Sequence, residues 1–448
     1  MKKVGARMQN HTSNLVTRLN ALSYIKAWSG YILRTEELRS AIHSGNYRFG
    51  VPAQGTHHTI LLEFHTHEGF GGKIQGNAND PETLEELVEA CVSLQNPFKC
   101  SSLLPHTRNF GDTLADPEII HHISHKRFDV LNALLSELKL WQSQMHTELS
   151  AEFQVRCVHQ EHLYINSRGG ELSYNETYAQ AYLAFHDNRG MNQREVQTRF
   201  LEDLLDDVTR NRVIPSYPRE PLPERALLTS MRVILSPQAF MYLIKLVFLE
   251  NLDGYRIAAE SSFLHKDYLG TKVIGNHDII DDAQQAKGAG SKFFDKEGTL
   301  CGRTVFFEQG RFITPMLSKE LEDQYAGYGL TPTGHYMGDG QVYINNFEFK
   351  PSPDQVSSSL DASVPYLYIE SLRGYSADAQ AGDFMLESDF ITLNRRGAPP
   401  LSLQGTVSGN LFALLRDNEA IFYDRQLCEN FLLPSVESGC IQIHFREC

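Results

Sequence analysis

SSFLHKDYLGTKVIGNHDIIDD (Ser261–Asp282) and GAGSKFFDKEGTLCGRTVFFEQGRFITPML (Gly288–Leu317) decide how this chain is read. Glycines interrupt both stretches too often for a stable helix, while the apolar residues between them are largely β-branched or aromatic, which favours short strands joined by tight turns. Thr304–Glu308 (TVFFE), a Gln309-Gly310 turn and Arg311–Thr314 predict a hairpin. Just upstream, Ser236-Pro237 supplies a helix cap followed by proline at the first helical position, and a strongly apolar helix is expected through Phe248. Helix and strands together make the segment from about residue 226 to the end a mixed α+β unit.

Moving toward the N-terminus, Pro215, Pro218, Pro221 and Pro223 form the best linker candidate, because closely spaced prolines disfavour both helix and ladder. Before it, a helix is expected near Val196–Val208, and Glu161–Phe185 reads as a hairpin turning at Ser167-Arg168-Gly169-Gly170. Val130, Leu131, Leu134, Leu135, Leu138 and Trp141 recur at helical spacing, and Asp116-Pro117 opens another helical stretch. The first segment holds a strand candidate at Thr59–Phe64 and a helix that starts at Asp80-Pro81, with Leu84, Leu87, Val88, Cys91 and Leu94 on its apolar face. The resulting division is 1–100, 110–225 and 226–448.

The 448 residues suffice for two or three such units. With 55 acidic against 41 basic side chains the net charge is -14, which disfavours nucleic acid or an anionic membrane surface as a partner. The 7 cysteines are scattered without a Cys-x-x-Cys pair, which argues against a disulfide framework or a zinc ribbon and fits a reducing cytoplasm. The N-terminus has basic residues but no apolar signal region, and Phe240–Leu249 is too short and too interrupted to span a bilayer.

Chemical motifs are few. His67-Glu68 lacks a second histidine, since Lys73 stands where one would fall, and Gly69, Gly71 and Gly72 predict a turn instead. His121 and His125 have i, i+4 spacing, but no acidic or thiol ligand completes a set. Gly288-Ala-Gly-Ser-Lys292 lacks the spacing of a phosphate loop.

The two opening stretches resemble the PmbA/TldD family, once called modulators of DNA gyrase. Phe294-Asp295-Lys-Glu297-Gly298 and Glu308-Gln-Gly310 carry the likeness. It continues in order through Thr333-Gly334-His335, Gly382-Asp383-Phe384, Gln404-Gly405-Thr-Val-Ser408-Gly409-Asn410 and Pro434-Ser435. Earlier, Gly72-Lys73-Ile through Glu89 and Ile165-Asn166-Ser167-Arg168-Gly169 are similar to the family's first and middle regions. The resemblance implies an N-terminal α/β two-layer module, a middle segment and a C-terminal domain of mixed β-sheet or barrel character with helices, working as a dimer.

The family has two branches that pair. The TldD branch carries a His-Glu-x-x-x-His helix and a C-terminal cysteine that hold zinc and cleaves unfolded or modified peptides; the PmbA branch, also called TldE, lacks the ligands. Aligning Gly254 with the glycine before the second histidine puts Glu250 and Tyr255 at the histidine positions and Asn251 at that of the base, with Cys428 near that of the cysteine. A protonated phenol and a lone carboxylate do not make a zinc site. The resemblance thus implies a TldE-like subunit with no cofactor of its own, a TldD-like zinc partner and an extended peptide substrate, leader-peptide trimming in natural-product maturation included. Two alternatives stay open: a self-sufficient homodimeric peptidase whose metal is held by His265, His277, His335 or Cys428, and a non-catalytic peptide-binding scaffold.

Overall fold

The computed structural model describes residues 5–43, 48–77, 80–98, 103–143, 150–187, 190–204, 231–338, 340–361 and 363–445. Its first half is built on long strands that alternate inward and outward side chains. After helix α1 (Gly5–Ala21) come β1 (Ile25–His43), β2 (Arg48–Thr66) and β3 (Gly71–Asn77), then α2 (Pro81–Ser93). The expected cap is in place, with the Asp80 carboxylate accepting from the Thr83 N–H at 3.2 Å. β4 (Thr107–Asn109), α3 (Pro117–Ser124), α4 (Phe128–Ser143), β5 (Ser150–Asn166), β6 (Glu171–Asp187) and β7 (Gly190–Thr198) follow.

These strands form one seven-stranded sheet in the order β3-β2-β1-β5-β6-β4, with β7 also on β6. β1 and β5 pair along most of their length, so the segments 1–100 and 110–225 contribute to a single sheet. The β5–β6 hairpin turns at residues 167–170 as read. The helix expected from Val196 is corrected: Val196 pairs with Ala181 in the β6–β7 ladder, and helix begins only at Leu201. Ladder pairing on an open edge outweighed helical spacing there. The proline-rich linker at 215–223 lies outside the described residues.

Alternation gives this sheet two unlike faces. Trp28, Ile32, Leu62, Phe64, Leu163 and Ile165 pack beneath α1 and α2, while Leu38, Phe153, Val155 and Cys157 pack beneath α3 and α4. The opposite face shows Tyr31, Tyr164, Leu172 and Tyr174, which bury Phe294 of the second half.

That half contains β8 (Arg232–Leu235), α5 (Pro237–Leu243), a π-helical turn (Ile244–Phe248), α6 (Leu249–Asn251) and α7 (Gly254–Ala258). Next are β9 (Asp278–Asp282), β10 (Arg303–Glu308), β11 (Arg311–Phe312), β12 (Tyr336–Gly338), β13 (Gln341–Val342), β14 (Phe347–Lys350), β15 (Tyr366–Ile369) and β16 (Ala377–Asp378). β17 (Asp383–Arg395), β18 (Ala398–Asn410), β19 (Ile421–Cys428), β20 (Phe431–Glu437) and β21 (Ile441–Phe445) complete it. A mixed, open 12-stranded sheet runs β11-β10-β9-β14-β20-β8-β15-β17-β18-β21, with β16 on β17 and β19 on β20. The β10–β11 hairpin turns through Gln309 and Gly310, both at positive φ (47° and 77°), the primed geometry that matches strand twist. No helix among the described residues is long and apolar enough to cross a membrane.

The two halves meet through the Phe294–Gly298 element. Phe294 enters the tyrosine face, and Asp295 accepts the N–H groups of Glu297, Thr299 and Tyr336. Glu297 takes the Lys73 ammonium at 3.4 Å and the Lys319 N–H at 2.8 Å. Gly298 sits at φ +71°, and a Cβ there would meet the Tyr164 ring at 2.6 Å, so only glycine fits.

A second tie is Arg199, 1% exposed at the end of β7. Its guanidinium donates to the Glu176 carboxylate at 2.8 Å and to the carbonyls of Thr177, Gly288, Ala289 and Ser291. Burial pushes the Glu176 carboxyl up, but Arg199 and His162 outweigh it and hold it at about 2. Replacing Arg199 by methionine leaves the buried Glu176 carboxylate with His162 alone and takes this donor from four carbonyls, an expected loss of about 3–5 kcal/mol in denaturant unfolding near neutral pH. A carboxyl depressed from 4.5 to about 2 stabilises above its unfolded value and loses that contribution as pH falls through the folded one. The gap between wild type and Arg199→Met therefore narrows as pH falls from about 4.5 toward 2.

Candidate active-site cleft

The helical run after β8 is shaped by its caps. Ser236 Oγ accepts from the Ala239 N–H at 3.0 Å and donates to the Glu370 carbonyl at 2.7 Å, so it both starts α5 and anchors it beside β15. Ile244–Phe248 then widens to π-helix, and the run breaks at Asp253, whose carboxylate caps α7 by accepting from the Tyr255 N–H at 2.9 Å. Burial pushes the Asp253 carboxyl upward.

An open cleft of about 560 Å³ lies at this break, walled by Leu246, Glu250, Arg256, Ser261, Tyr375 and the backbone turn at Ala377–Gln380. Its rim carries both signs of charge. Glu250 Oε2 is 2.9 Å from Arg256 Nη1, and both side chains are 42% exposed. Such a pair is worth at most about 1 kcal/mol, yet it sets a cation beside the carboxylate and opposes a metal there.

Asn251 faces inward, 1% exposed. Its amide donates to the carbonyls of Val247 and Ala379, both at 2.7 Å, and its Oδ1 accepts from Ser262 Oγ at 3.0 Å and the Phe263 N–H at 2.6 Å. With both amide hydrogens and the oxygen engaged, it fastens the helix to the start of the Ser261–Asp282 stretch and to the cleft wall. Tyr255, 65% exposed, points to solvent and does not line the cleft.

Cys428 ends β19 and is buried in the core with Phe431 and Leu433. Its hairpin is brought to the helix by its neighbour: Lys245 in the π turn reaches Glu429 at 2.5 Å and lies over the Phe431 ring. The four residues picked out from the sequence thus surround one helix, but only Glu250 opens into the cleft. They do not fit zinc, which needs three or four convergent donors.

The scattered histidines occupy separate settings. His335 is buried with Nε2 3.0 Å from Asp281 and Nδ1 2.8 Å from Thr333 Oγ1. His277, packed against Phe349 and Phe422, accepts the Ser352 N–H, and burial lowers it to about 4. His265 stacks edge-on against Tyr268. His67 begins the turn expected there, and the His121 and His125 rings lie against each other, tilted by 32°, with centroids 4.2 Å apart. Among the described residues no three His, Cys, Asp or Glu side chains converge as a metal site.

Residues 229–443 match the PmbA/TldA metallopeptidase C-terminal domain. That stretch, just under half of the chain, carries the C-terminal domain of the PmbA/TldD family. A metalloprotease of Methanocaldococcus jannaschii is 24% identical over 246 residues, which is 53% of this chain and 52% of that protein. The match thus spans about half the length of that relative. In fold, TldE from Thermococcus kodakarensis superposes with a TM-score of 0.71 at 16% identity, covering 97% of this chain and 99% of that one. A Bacteroides thetaiotaomicron protein described as a modulator of DNA gyrase gives 0.65 at 15% identity, covering 97% of each chain.

Sequence reasoning placed the helix but missed the role of Asn251, because its partners come from residues up to 128 positions away. Two outcomes follow. Asn251→Leu strands the Phe263 N–H and two carbonyls and lowers stability by about 1–3 kcal/mol in chemical denaturation. The triple change Glu250→His, Asn251→Glu and Tyr255→His yields no stoichiometric zinc by metal analysis, because its second histidine projects to solvent and its glutamate is buried among carbonyls.

Proposed function

We propose that this chain is the TldE-like, metal-free subunit of a two-subunit metallopeptidase, and that the zinc is carried by a TldD-like partner bearing His-Glu-x-x-x-His. The observation that carries the reading is the helix at 249–255: where the active branch places two histidines and a general base, this chain has a carboxylate neutralised by Arg256, an amide consumed by four hydrogen bonds and an exposed phenol. Two of the positions are taken up by structural bonds and the third points to solvent as a protonated phenol, which a partner subunit tolerates and a catalytic one does not.

In this assembly the chain supplies shape and charge rather than chemistry. Its cleft would complete a chamber that admits an extended peptide, since folded domains are too wide and backbone pairing at strand edges gives affinity with little sequence preference. The substrates are unfolded or modified peptides in the cytoplasm, leader peptides among them. The excess of acidic side chains speaks against DNA as the substrate.

Co-expression with a TldD-like subunit bearing His-Glu-x-x-x-His is the test. A stoichiometric complex that cleaves unfolded peptides, and stops on chelation, is the expected result. A stable homodimer that ignores such a subunit, or chelator-sensitive cleavage by this chain alone, overturns the proposal.

A further inference from the structure

A partly open pocket of about 250 Å³ lies between the two halves, away from the cleft at Glu250. Its volume falls below the range of roughly 300–1,000 Å³ that accepts drug-sized ligands and suits a single amino-acid-sized one. One wall is aromatic. Tyr31, Tyr174 and Phe294 meet edge to face, with Tyr174 stacked on His162 at 4.2 Å between ring centroids. This wall is rigid, because Tyr31 OH bonds His162 Nδ1 at 2.5 Å, His162 Nε2 bonds Glu176 at 2.9 Å, and Glu176 is held by Arg199.

The facing wall is the Gly288–Lys292 loop, whose carbonyls Arg199 also binds. It presents the Lys292 ammonium, whose hydrogen-bond partner is the thioether of Met337 at 3.7 Å and which makes no ion pair among the described residues. Both carboxylates at the cavity are already engaged: Glu176 by Arg199 and His162, and Asp295 by three backbone N–H groups, with the Lys292 charge acting on it without a direct ion pair.

A second observation points to an occupant. Asn345 lines the cavity at 1% exposure, and its Oδ1 is buried without a hydrogen-bond partner, while its amide nitrogen donates to Asp281 at 2.6 Å. An orphaned buried acceptor costs about 1–3 kcal/mol and calls for a donor from something bound. Gly290 is fixed by the same wall, since a Cβ there would meet the Asn345 carbonyl at 1.9 Å.

We propose that this cavity binds a small carboxylate with one N–H donor and one apolar side chain: the carboxylate on Lys292, the N–H to Asn345 Oδ1 and the side chain against Tyr31, Tyr174 and Phe294. A free apolar amino acid and the C-terminal residue of a peptide share this chemistry. The site stands apart from the proposed subunit role and does not rest on it.

Calorimetric titration of the full chain tests the assignment with N-acetyl-leucine, free leucine and the uncharged N-acetyl-leucinamide. The acid of at least one of the first two binds with a dissociation constant of about 1 mM or tighter, and the amide at least about tenfold more weakly. Tighter binding of N-acetyl-leucine assigns a peptide C-terminus, and tighter binding of leucine a free amino acid. Lys292→Met weakens binding about tenfold, and because the ammonium also acts on the buried Asp295 carboxylate, Lys292→Arg, which keeps that charge, is expected to retain the binding that Lys292→Met loses. No binding of either acid at about 10 mM, or equal binding by Lys292→Met, overturns the proposal.

Discussion

The structure depends on how one buried guanidinium is satisfied. Arg199 extends from the end of the first sheet into the second half, and its N–H groups divide between Glu176 of its own sheet and the backbone of the Gly288–Ser291 loop. A buried arginine is tolerated only when its charge is paired and its donors are used, and here both conditions require the two halves in one relative position. The Phe294 side chain then has a fixed socket among Tyr31, Tyr164 and Tyr174, and Lys73 meets Glu297 across the same seam. The seam combines an apolar plug with polar contacts that accept one geometry.

The same logic separates the cleft from a metal centre. A zinc site keeps its donors unpaired and convergent until the ion arrives. Here Glu250 is paired with Arg256, Asn251 is held by four partners, Cys428 is buried in the core, and Tyr255 points to solvent. The Lys245–Glu429 ion pair draws the Cys428 hairpin against the helix without turning the thiol toward the cleft. The four residues are thus held by packing and hydrogen bonds or face solvent, and they do not converge as metal donors.

Much of this was legible where the signal is local. The caps at Asp80 and Ser236, the turn at Gln309-Gly310 and the hairpin at residues 167–170 each rest on a few neighbouring residues with a known conformational preference, and each stands as read. The glycine-punctuated family element was legible as a motif, and the structure adds its purpose, because Phe294, Asp295, Glu297 and Gly298 are the contact between halves. What escaped is non-local. α1 and the 19-residue β1 and β2 carry mixed polar and apolar residues whose faces are defined only by sheet partners far along the chain. Val196 has helical spacing with its neighbours, yet ladder pairing with Ala181 decides its state. Arg199 and Asn251 follow no pattern at all, since their importance comes from partners tens of residues away.

The proposed role is that of a metal-free subunit whose zinc is carried by its partner. Zinc content, measured by elemental analysis on the chain purified alone and in complex with a His-Glu-x-x-x-His subunit, tests it most directly. The account predicts no stoichiometric zinc on the isolated chain and about one zinc per complex, lost when the partner's histidines are replaced. Stoichiometric zinc on the isolated chain would contradict it.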